Sequence, residues 1–149
     1  MVDNRNDIGQ WAPEIDLLSS GPRSFAEWND SLARGARLFD AGAFFEAHEA
    51  WEEHWRREPD QARRTFLQGL IQVAAGFHKI VVMGSTDSAH RLLTKGLEKL
   101  DACSTSVTGA PISLFRAEVS ECARALAAGR FDRTAIPKIR LEPRTNPGD

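Results

Sequence analysis

The sequence predicts an all-α fold, a bundle of about five helices packed around one central hydrophobic helix over roughly residues 61–83. Three observations carry this. Apolar residues recur at three- and four-residue spacing in successive segments, which is the period of a helix with one buried face. Gly, Pro and Ser/Thr clusters separate those segments and act as stops and caps. No pair of alternating apolar/polar runs flanks a hairpin-type turn.

Residues 1–23 read as an irregular N-terminal arm, since Pro13, Gly21 and Pro22 interrupt any helix, while Trp11, Ile15, Leu17 and Leu18 can hold it to a surface. The bundle domain is expected over 24–130. Ser24 and Glu27 form a capping box, and Phe25, Trp28, Leu32, Ala36 and Phe39 make the buried stripe of the first helix. Gly42 supplies its left-handed stop. A second helix is expected from about Ala43 to Arg57, ended by Glu58-Pro59. Asp60 caps the third, Gln61 to Met83, whose Phe66, Leu67, Leu70, Ile71, Val73, Ala74 and Phe77 cover more than half the circumference. A helix apolar over so wide an arc is surrounded by others. Gly69 and Gly76 fall on one side and invite close approach of a neighbour. The fourth helix runs to about Cys103, and the fifth opens near Pro111 and ends at Gly129. Residues 131–149 form an extended or disordered tail.

The bulk properties exclude several functions. A length of 149 residues fits a single domain. A net charge of −2 without a basic stripe argues against nucleic acid. The most apolar run is interrupted by Gln72, His78 and Lys79, so no membrane span is expected. The N-terminus lacks a signal-like apolar run, and Cys103 and Cys122 lack metal or redox spacing. A cytoplasmic protein with reduced thiols is the expectation.

Chemistry concentrates in Phe44–Arg56. At about 100° per residue, Phe44, His48, Trp51 and Trp55 share a face, Glu49 and Glu52 stand on its shoulder, Glu46 and Glu53 point to solvent, and His54 lies on the other flank. Burial of the aromatics draws His48, Glu49 and Glu52 inward, where a carboxylate needs a partner. Gln68 and Gln72, one turn apart on the third helix, are the candidate partners, with His78 at the edge of its apolar arc. Three readings follow: a structural polar network, a metal site with His48 and Glu52 as i, i+4 ligands, or a metal-free acid/base pair. In the metal reading His78 is a third ligand to a divalent ion and Glu49 the catalytic base. His48-Glu49-Ala50-Trp51-Glu52 departs from the HExxH pattern by its final Glu.

The motifs Phe44-Phe45-Glu46-Ala47-His48-Glu49-x-x-Glu52-x-x-Trp55 and Phe66-Leu67-Gln68-Gly69-Leu70-Ile71-Gln72 resemble those of domain of unknown function family 309. The likeness extends from about Leu32 to Leu100. It implies a small helical bundle with His48, Glu49, Glu52, Trp55, Gln68 and Gln72 as hallmark positions, and some members are labelled metal-dependent hydrolases. The expectation is therefore a polar pocket between helices two and three that binds a small molecule or a metal. The alternatives are a metal-dependent hydrolase and a non-enzymatic interaction module. A homodimer is left open.

Overall fold

The computed structural model describes residues 25–103 and 112–139. Five helices follow one another: α1 Phe25–Asp40, α2 Phe44–Trp55, α3 Gln61–Val81, α4 Thr86–Asp101 and α5 Ser113–Ala128, with a 3-10 turn at Arg133–Ala135. No strand occurs among the described residues, so the all-α bundle expected from the sequence is the fold. The N-terminal arm, the Ser24 cap, Pro111 and the tail beyond Ile139 lie outside the described residues. No described helix is long and apolar enough to cross a membrane.

The helices end where backbone chemistry stops them. Gly42 has φ 85°, a left-handed conformation that residues with a Cβ avoid, and it closes α1. The Asp60 carboxylate accepts the Arg63 N–H at 2.9 Å, which caps α3 as expected. Each helix packs on the next in sequence, and the α3–α4 contact is the most extensive. Phe39 of α1 closes the bundle. Its ring lies 5.0 Å from Phe44, 5.9 Å from Phe77 and 5.7 Å from Phe115, so α1, α2, α3 and α5 meet around one aromatic. The chain after α5 returns to α1, where the Ile139 N–H donates to Asp40 Oδ1 at 2.7 Å.

Helix α3 is buried from Phe66 to Phe77 except at the half-buried Gln68 and Ala75. Its approach to α4 runs through glycines. A Cβ on Gly96 would lie 2.8 Å from the Gly69 carbonyl oxygen, and one on Gly76 would lie 2.9 Å from Leu93. The close approach expected at Gly69 and Gly76 is therefore present. A second small residue sets the α1–α2 crossing. The Trp51 indole lies directly against Gly35, and its Nε1–H donates to the Leu32 carbonyl at 3.4 Å.

At an exposed helical site Gly→Ala stabilises by about 1 kcal/mol. At Gly35 the added methyl overlaps the fully buried Trp51 ring, and overpacking costs about 1–3 kcal/mol. Gly35→Ala is expected to lower the urea midpoint by a free energy in that range. A midpoint that rises would contradict this crossing.

Candidate functional site

Helix α2 buries Phe44, Ala47, Ala50, Trp51, His54 and Trp55. The two alanines decide which way it faces. They let α2 sit close on its neighbours and rotate the buried arc away from His48 towards His54. His48 and Glu52 are consequently half-buried, and Glu49 is exposed. The expectation that all three turn inward holds for two only. Glu49 instead lines a hollow of about 600 Å³ over the α1–α2 seam with Arg34, Arg37 and Glu46.

His54, expected off to one side, is 3% exposed, and Glu58, expected only as a helix-ending residue, is 1% exposed. They form a buried pair. A carboxylate only accepts, so His54 Nε2–H donates to Glu58 Oε1 at 2.7 Å, and the Ser31 hydroxyl donates to Nδ1 at 2.7 Å. Glu58 Oε2 accepts the Asp60 N–H at 3.1 Å and lies 3.8 Å from Arg63. Arg64 donates to the carbonyls of Trp55 at 2.8 Å and Glu58 at 3.4 Å. Arg63 also stands 5.2 Å from the centre of the Trp28 ring, which is itself edge-on to His54 at 5.6 Å. This network ties α1, α2 and the start of α3 together. Arg63 thus faces the Glu58 carboxylate, and Arg64 the backbone carbonyls at the end of α2. The i, i+4 spacing of His54 and Glu58 was the network's sequence signal. It was obscured because Glu58 precedes a proline and looks like loop.

The α2–α3 seam carries the sequence-predicted residues. Arg64 covers Trp55 at 4.1 Å, Phe44 meets Phe77 at 5.7 Å, and Phe45 meets His78 at 5.5 Å. The two helices therefore run antiparallel, with Trp55, Phe44 and Phe45 of α2 set against Arg64, Phe77 and His78 of α3. Trp55 is buried beneath Arg64 and faces the core rather than a pocket. Gln72 is 3% exposed, and Gln68 is half-buried. Three side-chain atoms are buried without a hydrogen-bond partner among the described residues: His48 Nδ1 on α2, Gln72 Oε1 on α3 and Arg116 Nε on α5. Buried polar groups are otherwise paired almost without exception. Glu52 Oε1 lies 3.7 Å from Arg56, a half-exposed contact of little strength.

The three-residue metal set expected from sequence, His48 with Glu52 and His78, is not assembled. Among the described residues no group of three or more His, Cys, Asp or Glu side chains could hold a metal ion. The reason is Phe45, whose ring stacks on His48 at 5.9 Å and packs on His78 at 5.5 Å. On its outer side a hollow of about 410 Å³ is lined by Gly42, Ala43, Phe44, Phe45, Glu46, His78 and Val82.

Burial pushes the His48 imidazole below 6.5, opposed by the Glu52 and Glu49 carboxylates and assisted by His78. A histidine whose folded pKa is depressed stabilises fully above its unfolded pKa. That stability is lost as pH falls below about 6.5, because the unfolded chain takes the proton first. The His48 imidazole is expected to titrate below 6.5 by NMR, and His48→Gln should flatten this part of the acid stability loss. A midpoint at or above 6.5 would refute the assignment. In the other network, removing the Glu58 carboxylate leaves the buried His54 Nε2–H and the Asp60 N–H without their acceptor, at about 1–3 kcal/mol for each unsatisfied group, against about 1 kcal/mol for one lost neutral hydrogen bond. Glu58→Ala should therefore destabilise the fold several times more than Ser31→Ala in urea melts. Equal losses would mean that Glu58 is not the anchor.

No curated protein matches the chain. Residues 32–92, which span the whole α2–α3 seam, match the family model described as Domain of unknown function (DUF309).

Proposed function

We propose that this protein is a ligand-binding helical bundle that seats a small cation in the α2–α3 seam, at His48, Glu52, Gln68 and Gln72. One observation carries the reading: His48 Nδ1 on α2 and Gln72 Oε1 on α3 are both buried without partners. Burial keeps the imidazole uncharged at neutral pH, and in the tautomer with hydrogen on Nε2 its Nδ1 offers a lone pair. Gln72 Oε1 offers another, and the Glu52 carboxylate, one helical turn from His48, supplies negative charge. Such a set attracts a positively charged donor or an inorganic cation and repels anions.

Binding is favoured over catalysis. The hydrolytic alternative needs Glu49 as a base, and Glu49 is exposed on the side of α2 that faces the α1–α2 hollow. The interaction-module alternative needs a structural network, and that role belongs to His54 and Glu58.

A ligand that binds only the folded state stabilises it by about 2.7 kcal/mol at one hundred times its Kd. Thermal melts with ammonium, Mn²⁺ and Zn²⁺ should therefore show a concentration-dependent rise in Tm of several degrees for at least one of them. The rise should vanish in Gln72→Leu and weaken below pH 6.5, where a proton competes for His48. If no cation raises Tm, or if the rise survives in both Gln72→Leu and His48→Ala, the seat does not exist.

A further inference from the structure

We infer that Ser31, His54 and Glu58 form a serine triad that takes the acyl group of a small carboxylic ester, at a site separate from the proposed cation seat. Such a triad needs a nucleophile within hydrogen-bond reach of a base, and a third group that holds the base from its other side. Both distances are 2.7 Å here, Ser31 Oγ to His54 Nδ1 and His54 Nε2 to Glu58 Oε1. The direction of proton flow follows from the acceptor. A carboxylate donates nothing, so Glu58 selects the tautomer with hydrogen on Nε2, and the Nδ1 lone pair is left to draw on the Ser31 proton. Triads are recognised by geometry and roles rather than by chain order, and either ring nitrogen can act as base once the other is held.

The burial of the three residues suits these roles. Glu58 is 1% exposed and His54 is 3% exposed, while Ser31 is only half-buried among the described residues. Glu58 is itself held in place, because its Oε2 accepts the Asp60 N–H at 3.1 Å. The α1–α2 seam offers an approach. Its helices run antiparallel, with Arg34 meeting Glu53 at 3.5 Å and Phe39 meeting Phe44 at 5.0 Å. Leu38 and Ala50 line the hollow on that seam. Ser31 stands seven residues before Leu38 and His54 four after Ala50, so each continues the helical row of a lining residue. Arg34, three residues from Ser31, is its neighbour on the helix surface and brings the positive charge that a developing oxyanion requires.

In the reaction, Ser31 Oγ attacks the ester carbonyl carbon as its proton passes to His54 Nδ1. The bond to the alcohol oxygen then breaks, and that oxygen leaves with the proton from Nδ1. Water gives a proton to Nδ1 and attacks the acyl-serine. Ser31 Oγ departs, regains the proton, and the carboxylic acid is released. Glu58 stays on Nε2–H throughout as a positioning residue.

The full chain is treated with a fluorophosphonate and mapped by mass spectrometry, and p-nitrophenyl acetate is the substrate for kinetics. One adduct is expected, on Ser31, absent after unfolding in urea. Ser31→Ala, shown to be folded by circular dichroism, should lose ester hydrolysis by at least about a hundredfold. Glu58→Gln, assayed where circular dichroism shows it folded, should lower kcat at least about tenfold and leave KM within about twofold. The triad is overturned if the folded protein takes no adduct, if the adduct lies on another residue, or if it forms equally after unfolding. It is overturned as well if folded Ser31→Ala hydrolyses the ester as fast as the parent chain, or if folded Glu58→Gln keeps the parent kcat. None of these readouts depends on cation binding in the α2–α3 seam.

Discussion

The bundle depends on how closely α3 and α4 approach. Their backbones meet at Gly69 and Gly96, where a single added Cβ would press on the opposing carbonyl or on Val73 and Leu100. Packing at that distance removes one whole side of α3 from any role but contact. The bulky side chains of α3, Phe66 and Phe77, then turn to α1 and α2, where they meet Trp28, Phe39 and Phe44. The best-connected polar groups lie instead where α1, α2 and the start of α3 meet.

Within the polar side, two networks of contrasting character stand a few turns apart. At the start of α3, His54, Glu58, Ser31, Asp60 and Arg63 satisfy one another, and Arg64 takes the free carbonyls. A complete network of this kind fixes register and is expensive to break. Further along, His48 and Gln72 are buried with atoms unpaired. The complete network ties α1, α2 and the α2–α3 turn together, as the support of the proposed site would.

The helices, their order, their glycine and aspartate punctuation and the central position of α3 were legible in the sequence, because each rests on periodicity or on local backbone chemistry. The facing of α2 was only half legible. Reading its buried side from Phe44, Trp51 and Trp55 centres the arc on His48. Ala47 and Ala50 contribute little to an apolar stripe, yet both are buried. Gly35 is the matching signal on α1, since its missing side chain is the seat for Trp51. Small residues on both partners therefore identify the crossing, and large ones only fill the space beside it. The error of one shoulder exchanged His54 for Glu49. The pairing of α2 with α3 was not affected, since Phe44, Phe45 and Trp55 still meet α3.

Gln72 is the residue that separates a structural from a functional account of this seam. It sits 3% exposed in the middle of a helix otherwise lined there with Leu, Ile, Val, Ala and Phe. A buried amide oxygen without a partner costs about 1–3 kcal/mol, and a leucine of similar volume would remove that cost. A purely structural polar group would be expected to hold a partner, as Glu58 holds His54. Gln72 Oε1 and His48 Nδ1, left unpaired, sacrifice stability in the free protein, as binding sites commonly do, and that cost is what supports the proposed cation seat.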